Sequence, residues 1–248
     1  MTAPFPTRRQ EEWRYADLDA LKPVWEQFAE PVTLTVGAGE SLEEVWLPAA
    51  EDVRVRRVHL ALGAGAKARI FALNTSPVYG RIELDVSLDE SAEFELFGAN
   101  IGTGVSTNEF VTNVRHIGAG GRSRQTIRSV LNEKAVGSYL GKVEVARGAQ
   151  QTDGEQSVKA MLLDRGATAN CKPELEIYAD DVKCAHGASV GELDAMQLFY
   201  AESRGLDPVS ARALLLEAFV MGLWDGIENA AQHDAICDAA KSALRRIV

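Results

Sequence analysis

Between Val32 and Val190 the sequence runs through one short alternating segment after another and never settles into the 3.6-residue period of an amphipathic helix. VRVRRVHLAL (53–62), RIELDVSL (81–88) and AEFELF (92–97) place apolar residues at alternate positions, as half-buried strands do, with glycine-containing or polar breaks between them. EFVTNVRHI, RQTIRSVL, SYLGKVEV and PELEIYADDV continue the series. Many strands without intervening helices leave three architectures: a sandwich, a barrel or a stacked β-solenoid. Asn-Gly and Asp-Gly hairpin turns are missing apart from Asp153-Gly154, which favours the solenoid, because there each strand passes on to the next rung instead of folding back.

Helical patterns bracket this stretch. Near the start, EEWRYADLDALKPVWEQF carries Trp13, Leu18, Leu21, Trp25 and Phe28 at a ragged helical spacing that Pro23 interrupts, so residues 1–30 read as a short helical arm whose tryptophans pack on the body. Residues 31–191 form the β core. From 192 to 248 the pattern is helical again: Asp194 is the N-cap and Gly205 the stop of a helix over AMQLFYAESR, and Asp207-Pro208 opens a second. That second helix carries Val209, Ala213, Leu216, Val220 and Leu223, and a last one carries Ile236, Ala240, Ala243, Leu244 and Ile247.

Several functions are disfavoured by what the chain lacks. A formal net charge of −10 is the wrong sign for a nucleic-acid partner, which needs a basic footprint. No window approaches the length of apolar run that spans a bilayer, and MTAPFPTRRQEEWRY lacks the apolar region of a secretory signal, so a soluble, cytoplasmic protein is expected. Three scattered cysteines, Cys171, Cys184 and Cys237, suit a reducing compartment, Cys237 as a packed helix residue. There is no G-x-x-x-x-G-K-[ST], so no nucleotide is expected on this chain by the P-loop route, and G-x-S-x-G, H-E-x-x-H and C-x-x-C are missing as well. Gly118 to Gly121 read as a turn, and adjacent Asp180 and Asp181 face opposite ways, unsuited to paired acid–base work.

The chemistry concentrates in Cys184 and His186. Two apart on an extended strand, they point the same way and offer one thiolate and one imidazole to a single ion. Structural zinc takes four ligands and iron–sulfur clusters take several thiolates, so the pair needs donors from elsewhere. The other reading, which spacing alone favours, is a packed cysteine beside a hydrogen-bonded histidine.

Taken together, EEWRYADL near the start, QTDGEQS at 151–157, and KPELEIYADDVKCAHGASVGELD running on to QLFYAESRGL resemble the SufB/SufD family, scaffold proteins of the SUF iron–sulfur cluster assembly system. Within it the chain is more similar to SufD: Gln151, Thr152 and Asp153 stand where SufB has Gln-Cys-Asp, and Gly187 stands where SufB has a glutamate after the shared histidine. The resemblance implies a right-handed parallel β-helix flanked by helices. It implies a non-catalytic subunit that pairs through its core with a SufB-type homologue and docks a SufC-type ABC ATPase on its C-terminal helices, around Gln197, Leu198, Phe199, Tyr200, Arg204 and Gly205. The resemblance further implies a nascent iron–sulfur cluster built transiently at the interface with SufB, on a SufB cysteine and on His186 of this chain; beside it, Cys184 is read from its spacing as a second ligand or a transient sulfur-handling thiol. A reduced flavin in the complex and a homodimer of the chain are left open. Two departures stand out: Asp194, Ala195, Met196 and Gln197 replace the family's Asp-Glu-x-Gln, and the chain is short, with a reduced arm and fewer expected rungs. Outside the family, the competing readings are a carbohydrate-active β-solenoid enzyme and a homo-oligomeric binding module built on the helical stripes.

Overall fold

The computed structural model describes residues 4–48 and 51–247. Among them, twelve strands form two six-stranded parallel sheets, in the orders β1-β3-β5-β7-β9-β11 and β12-β10-β8-β6-β4-β2. Odd strands fall in one sheet and even strands in the other, so each rung is one strand from each sheet and the chain winds as a parallel β-helix of six rungs. This is the solenoid among the three architectures the strand pattern left open. The strands are β1 (Val32–Val36), β2 (Ser41–Trp46), β3 (Val53–Leu62), β4 (Lys67–Asn74), β5 (Tyr79–Leu88), β6 (Glu93–Gly102), β7 (Thr107–His116), β8 (Arg122–Leu131), β9 (Val136–Val145), β10 (Asp153–Leu162), β11 (Thr168–Ile177) and β12 (Lys183–Gly191).

Inward-facing residues stack from rung to rung. One column runs Leu60, Val86, Val114, Val143 and Leu175 up the odd sheet. Another runs Ile70, Leu96, Gln125, Gln156 and His186 along the even sheet. The apolar columns form the interior core. On the outer face of the even sheet, charges alternate in two files: Lys67, Glu93, Arg122, Asp153 and Lys183, and Glu43, Arg69, Glu95, Arg124, Glu155. Opposite charges on neighbouring strands support the parallel register and like-charge contacts are avoided; Lys67 Nζ to Glu93 at 3.3 Å and Arg69 to Glu43 at 2.7 Å are examples.

Rung corners explain the missing hairpin signals. At one edge the chain turns through a left-handed residue in five successive corners: Gly39, Gly65, Ser91, Gly120 and Gln151. The N–H of each bonds to a carbonyl in the next corner, Gly65 to Glu90 at 2.8 Å and Gly120 to Gln150 at 2.8 Å, so the corners stack like the strands. Glycine is favoured there because a left-handed backbone costs other residues about 1–2 kcal/mol. Asp153-Gly154, the one hairpin-like dipeptide of the β core, opens β10 instead of turning back.

The arm packs on the outer face of the odd sheet. It contains a 3₁₀ turn at Glu11–Trp13, then α1 (Leu18–Leu21) and, after a further 3₁₀ turn carrying Pro23, α2 (Trp25–Phe28). Trp13, Leu21, Trp25 and Ala29 bury against Val55 and Tyr79. Trp13 lies 3.7 Å over the guanidinium of Arg81, which is wholly buried and paired with Glu109 at 2.9 Å and Glu83 at 2.8 Å. Burial pulls the Arg81 pKa down, and the two carboxylates outweigh it, so the group is held more firmly charged than in water.

Three helices follow the solenoid: α3 (Ala195–Ser203), α4 (Pro208–Met221) and α5 (Ala230–Arg245). Asp194, Asp207 and Asn229 cap them, each accepting two backbone N–H groups, and Gly205 takes a left-handed φ of 97° after α3. The helix therefore starts at Ala195 despite the departure from the family's pattern. Leu216, Val220, Leu223, Trp224, Ile236, Ala240 and Leu244 cover Phe71, Leu73, Ala99 and Ile101 on the even sheet's outer face, and Cys237 packs among them as expected. Val209, at the start of the apolar stripe of α4, is 61% exposed. No helix among the described residues is long and apolar enough to cross a membrane.

Candidate functional site

Strand β12 closes the last rung and has a neighbour on one side only, β10. Register fixes which way its side chains point: Cys184 continues the inward column Phe94, Ser123, Gly154, and His186 continues the inward column Leu96, Gln125, Gln156. Both residues therefore face the mouth of the β-helix at its C-terminal end, on one face, as their spacing requires. Among the described residues no further strand stacks on them, and they form the last layer of the β-helix.

Their environments differ. His186 is exposed, while Cys184 is half-buried against the interior core. Burial pushes the Cys184 thiol pKa up, Asp153 adds to that, and a backbone hydrogen bond with Gly154 opposes it. The thiol is thus protonated at neutral pH and becomes a ligand only by giving its proton up to a metal. Cys171, on the facing strand, is half-buried with its thiol also raised by burial. Among the described residues no group of three or more His, Cys, Asp or Glu side chains is disposed to hold a metal ion. What β12 brings together is an accessible imidazole with a thiol beside it, two side-chain types that can bind metal but too few to hold an ion by themselves.

Behind the pair the interior turns polar, which the strand patterns did not reveal. Gln156 is 1% exposed, and its Nε2 donates to Tyr139 Oη at 3.0 Å; Thr112 Oγ1 lies 3.1 Å from the same phenol. A Cβ on Gly141 would stand 2.1 Å from that phenol oxygen, so only glycine lets the Tyr139 ring lie across to Thr112 and Gln156. One column over, His116 Nε2 is 2.8 Å from Ser123 Oγ. Burial pulls the His116 pKa down to about 4 and pushes the Tyr139 phenol up to about 12. The signal in the sequence is a polar residue at an inward position of an alternating strand, Gln125 in RQTIRSVL and Gln156 after Asp153-Gly154, and it becomes readable only once the rungs are in register.

The residues expected to dock a partner lie apart from this mouth, on α3 and the turn after it. Phe199 and Tyr200 are 65% and 61% exposed, next to Met196 at 72%. Gln197, Arg204 and Gly205 are exposed as well, and Leu198 is half-buried. The Arg204 guanidinium sits 5.1 Å above the Tyr200 ring. Ala201 is the one buried residue of the helix, so most of α3 faces solvent.

Residues 35–219 match the family described as the SUF system FeS cluster assembly, SufBD core domain. An iron-sulfur cluster assembly SufBD family protein of Synechocystis is 32% identical over 180 residues, 71% of this chain and 39% of that protein. The iron-sulfur cluster assembly protein SufD of Escherichia coli is 38% identical over 107 residues, covering 43% of this chain and 25% of the relative. SufD of Bacillus subtilis is 31% identical over 120 residues, 48% of this chain and 28% of the relative. The chain therefore spans well under half the length of these relatives.

Proposed function

The chain belongs to the SufBD core family of the SUF system, and from that premise we propose that it is a non-catalytic scaffold in iron–sulfur cluster assembly, supplying His186, with Cys184 beside it, to a nascent cluster completed by a second polypeptide. The observation that carries this reading is the mouth of the β-helix: an accessible imidazole and a thiol on one face of an edge strand with one free edge, with too few donors among the described residues to hold a metal alone. The cluster is cargo, and a half-site suits cargo that must leave. Ligands split between two chains let go when the chains shift, which a fixed four-ligand site does not.

The two edges of the last rung are unlike, and the difference supports a partner at β12. Edge strands are usually blunted by proline and charge. β11 has both: Pro173 removes a backbone donor, Lys172, Glu174 and Glu176 flank it, and Glu11 of the arm reaches Lys172 at 2.6 Å. β12 has nine residues of which Lys183 alone is formally charged, and Ala185, Gly187, Ala188, Ser189 and Gly191 leave its backbone accessible. Such an edge accepts another strand. The alternating outer file that ends on Lys183 would be continued by a carboxylate from the incoming chain.

The incoming chain is a SufB-type homologue bearing the thiolate this chain lacks at Thr152. The exposed apolar face of Met196, Phe199 and Tyr200 on α3 is the landing surface for a SufC-type ABC ATPase, which supplies the nucleotide chemistry for which this sequence has no P-loop. Co-expression of the tagged chain with a SufB-type and a SufC-type protein tests the assembly. A stoichiometric complex is expected on size exclusion, and Phe199→Asp should release the ATPase while retaining the SufB-type partner. Elution of the chain by itself in the presence of both would refute the scaffold reading.

A further inference from the structure

Parallel register sets Gln156 directly beside His186 on the same inward face, at the strand spacing of about 4.8 Å. The two residues also line one open groove of about 380 Å³ with Ser157 and Ala188. Gln156 is almost fully buried, yet its Oε1 has no hydrogen-bond partner. Buried polar atoms are almost always hydrogen-bonded, so an unpaired buried acceptor is marked as a group awaiting a donor. Its other end is committed: Nε2 donates to Tyr139, whose ring is wedged over Gly141 and paired with Thr112. The amide orientation is thereby fixed, and what remains of Gln156 is an acceptor only.

A neutral imidazole that gives one nitrogen to iron carries its proton on the other, and that N–H needs an acceptor to hold the ring still. We propose that Gln156 is a positioning residue for His186: its Oε1 accepts the inward ring N–H, selects one neutral tautomer and turns the opposite nitrogen out of the mouth of the β-helix. The His186 ring is exposed on an edge strand, in register with Gln156 and free to change rotamer, and positioning by Gln156 requires the rotamer that lays the ring on its amide. The neighbouring amide of Gln125, unpaired at both ends, does not compete, because a carbonyl oxygen accepts two donors. Tyr139 and Thr112 act through Gln156 by keeping its oxygen free. This inference rests on His186 being the ligand of the proposed function.

The test reads the tautomer directly, with neither partner nor iron present. Two-bond ¹H–¹⁵N correlation of the His186 ring in the full chain at about pH 8, where an ordinary imidazole is neutral, should show one tautomer in several-fold excess. Gln156→Leu should bring the two tautomers towards the ratio of a free imidazole, Gln156→Glu should restore the preference because a carboxylate still accepts, and Tyr139→Phe should weaken it by freeing the amide to rotate. An unchanged ratio in Gln156→Leu overturns the inference. Should that variant fail to fold, an unchanged ratio in Tyr139→Phe does the same. Failure of the scaffold reading would look different: a cluster yield untouched by His186→Ala, whatever the tautomer.

Discussion

His116 is sealed in the β-helix with Nδ1 unpartnered and Nε2 on Ser123, and burial holds its pKa near 4 against 6.5 for a free histidine. Between those values the unfolded chain takes up a proton that the folded chain refuses. The stabilisation is therefore complete above pH 6.5 and drains away as the pH falls towards 4, by about 3 kcal/mol over the whole interval. Urea midpoints should drop between pH 7 and 5, and His116→Gln should flatten that slope; equal slopes in the two proteins would contradict the burial argument. Gln151 poses the opposite case, a residue at φ 60° in a corner where three other rungs use glycine. Relief of left-handed strain outweighs the extra chain entropy of glycine, so Gln151→Gly should stabilise by roughly 0.5–1 kcal/mol in chemical denaturation. A loss of stability would mean that the Gln151 side chain contributes more than its backbone costs.

At the scale of elements, the arm is a structural lid over a buried charge network. Trp13 covers Arg81, which with Glu109 and Tyr79 lies wholly out of solvent. Burial and the neighbouring Glu109 carboxylate push the Tyr79 phenol well above its usual range, so it stays a donor, bonding to Glu109. Trp13→Ala should cost about 3–5 kcal/mol in thermal or urea unfolding, since it removes a packed ring and wets a paired charge; a cost below about 1 kcal/mol would show that the arm is not tied to the core. The elements also show where the sequence was readable. β3, β5 to β9 and the helix caps at Asp194 and Asp207 follow alternation and capping chemistry. β4 carries apolar residues on both faces, because its outer face meets the C-terminal helices, and so lacks alternation. β10 places Gly154 and Gln156 at inward positions, so its first half lacks the apolar alternation that marks the other strands. PELEIYADDV straddles the end of β11 and the following corner, because the first half of the strand, with Thr168, Asn170 and Lys172 on its outer face and only Ala169 and Cys171 inward, carries no strong apolar alternation.

For the molecule as a whole, the arm packs on the outer face of the odd sheet and α4 and α5 cover part of the outer face of the even sheet, while the mouth at β12 and the outward side of α3 are left exposed. The Cys-x-His pair was legible in the sequence from strand alternation, because that alone puts both side chains on one face. Gln156, Tyr139 and Gly141 were not, since their juxtaposition arises from rung stacking between segments with no local signature. Among the described residues no set of side chains completes a metal site around Cys184 and His186. The direct measurement is the iron and acid-labile sulfide content of the co-purified assembly carrying His186→Ala. We expect the variant to fold and assemble in unchanged stoichiometry, with iron and sulfide reduced to background. An assembly that retains its full iron and sulfide without His186 would contradict the account.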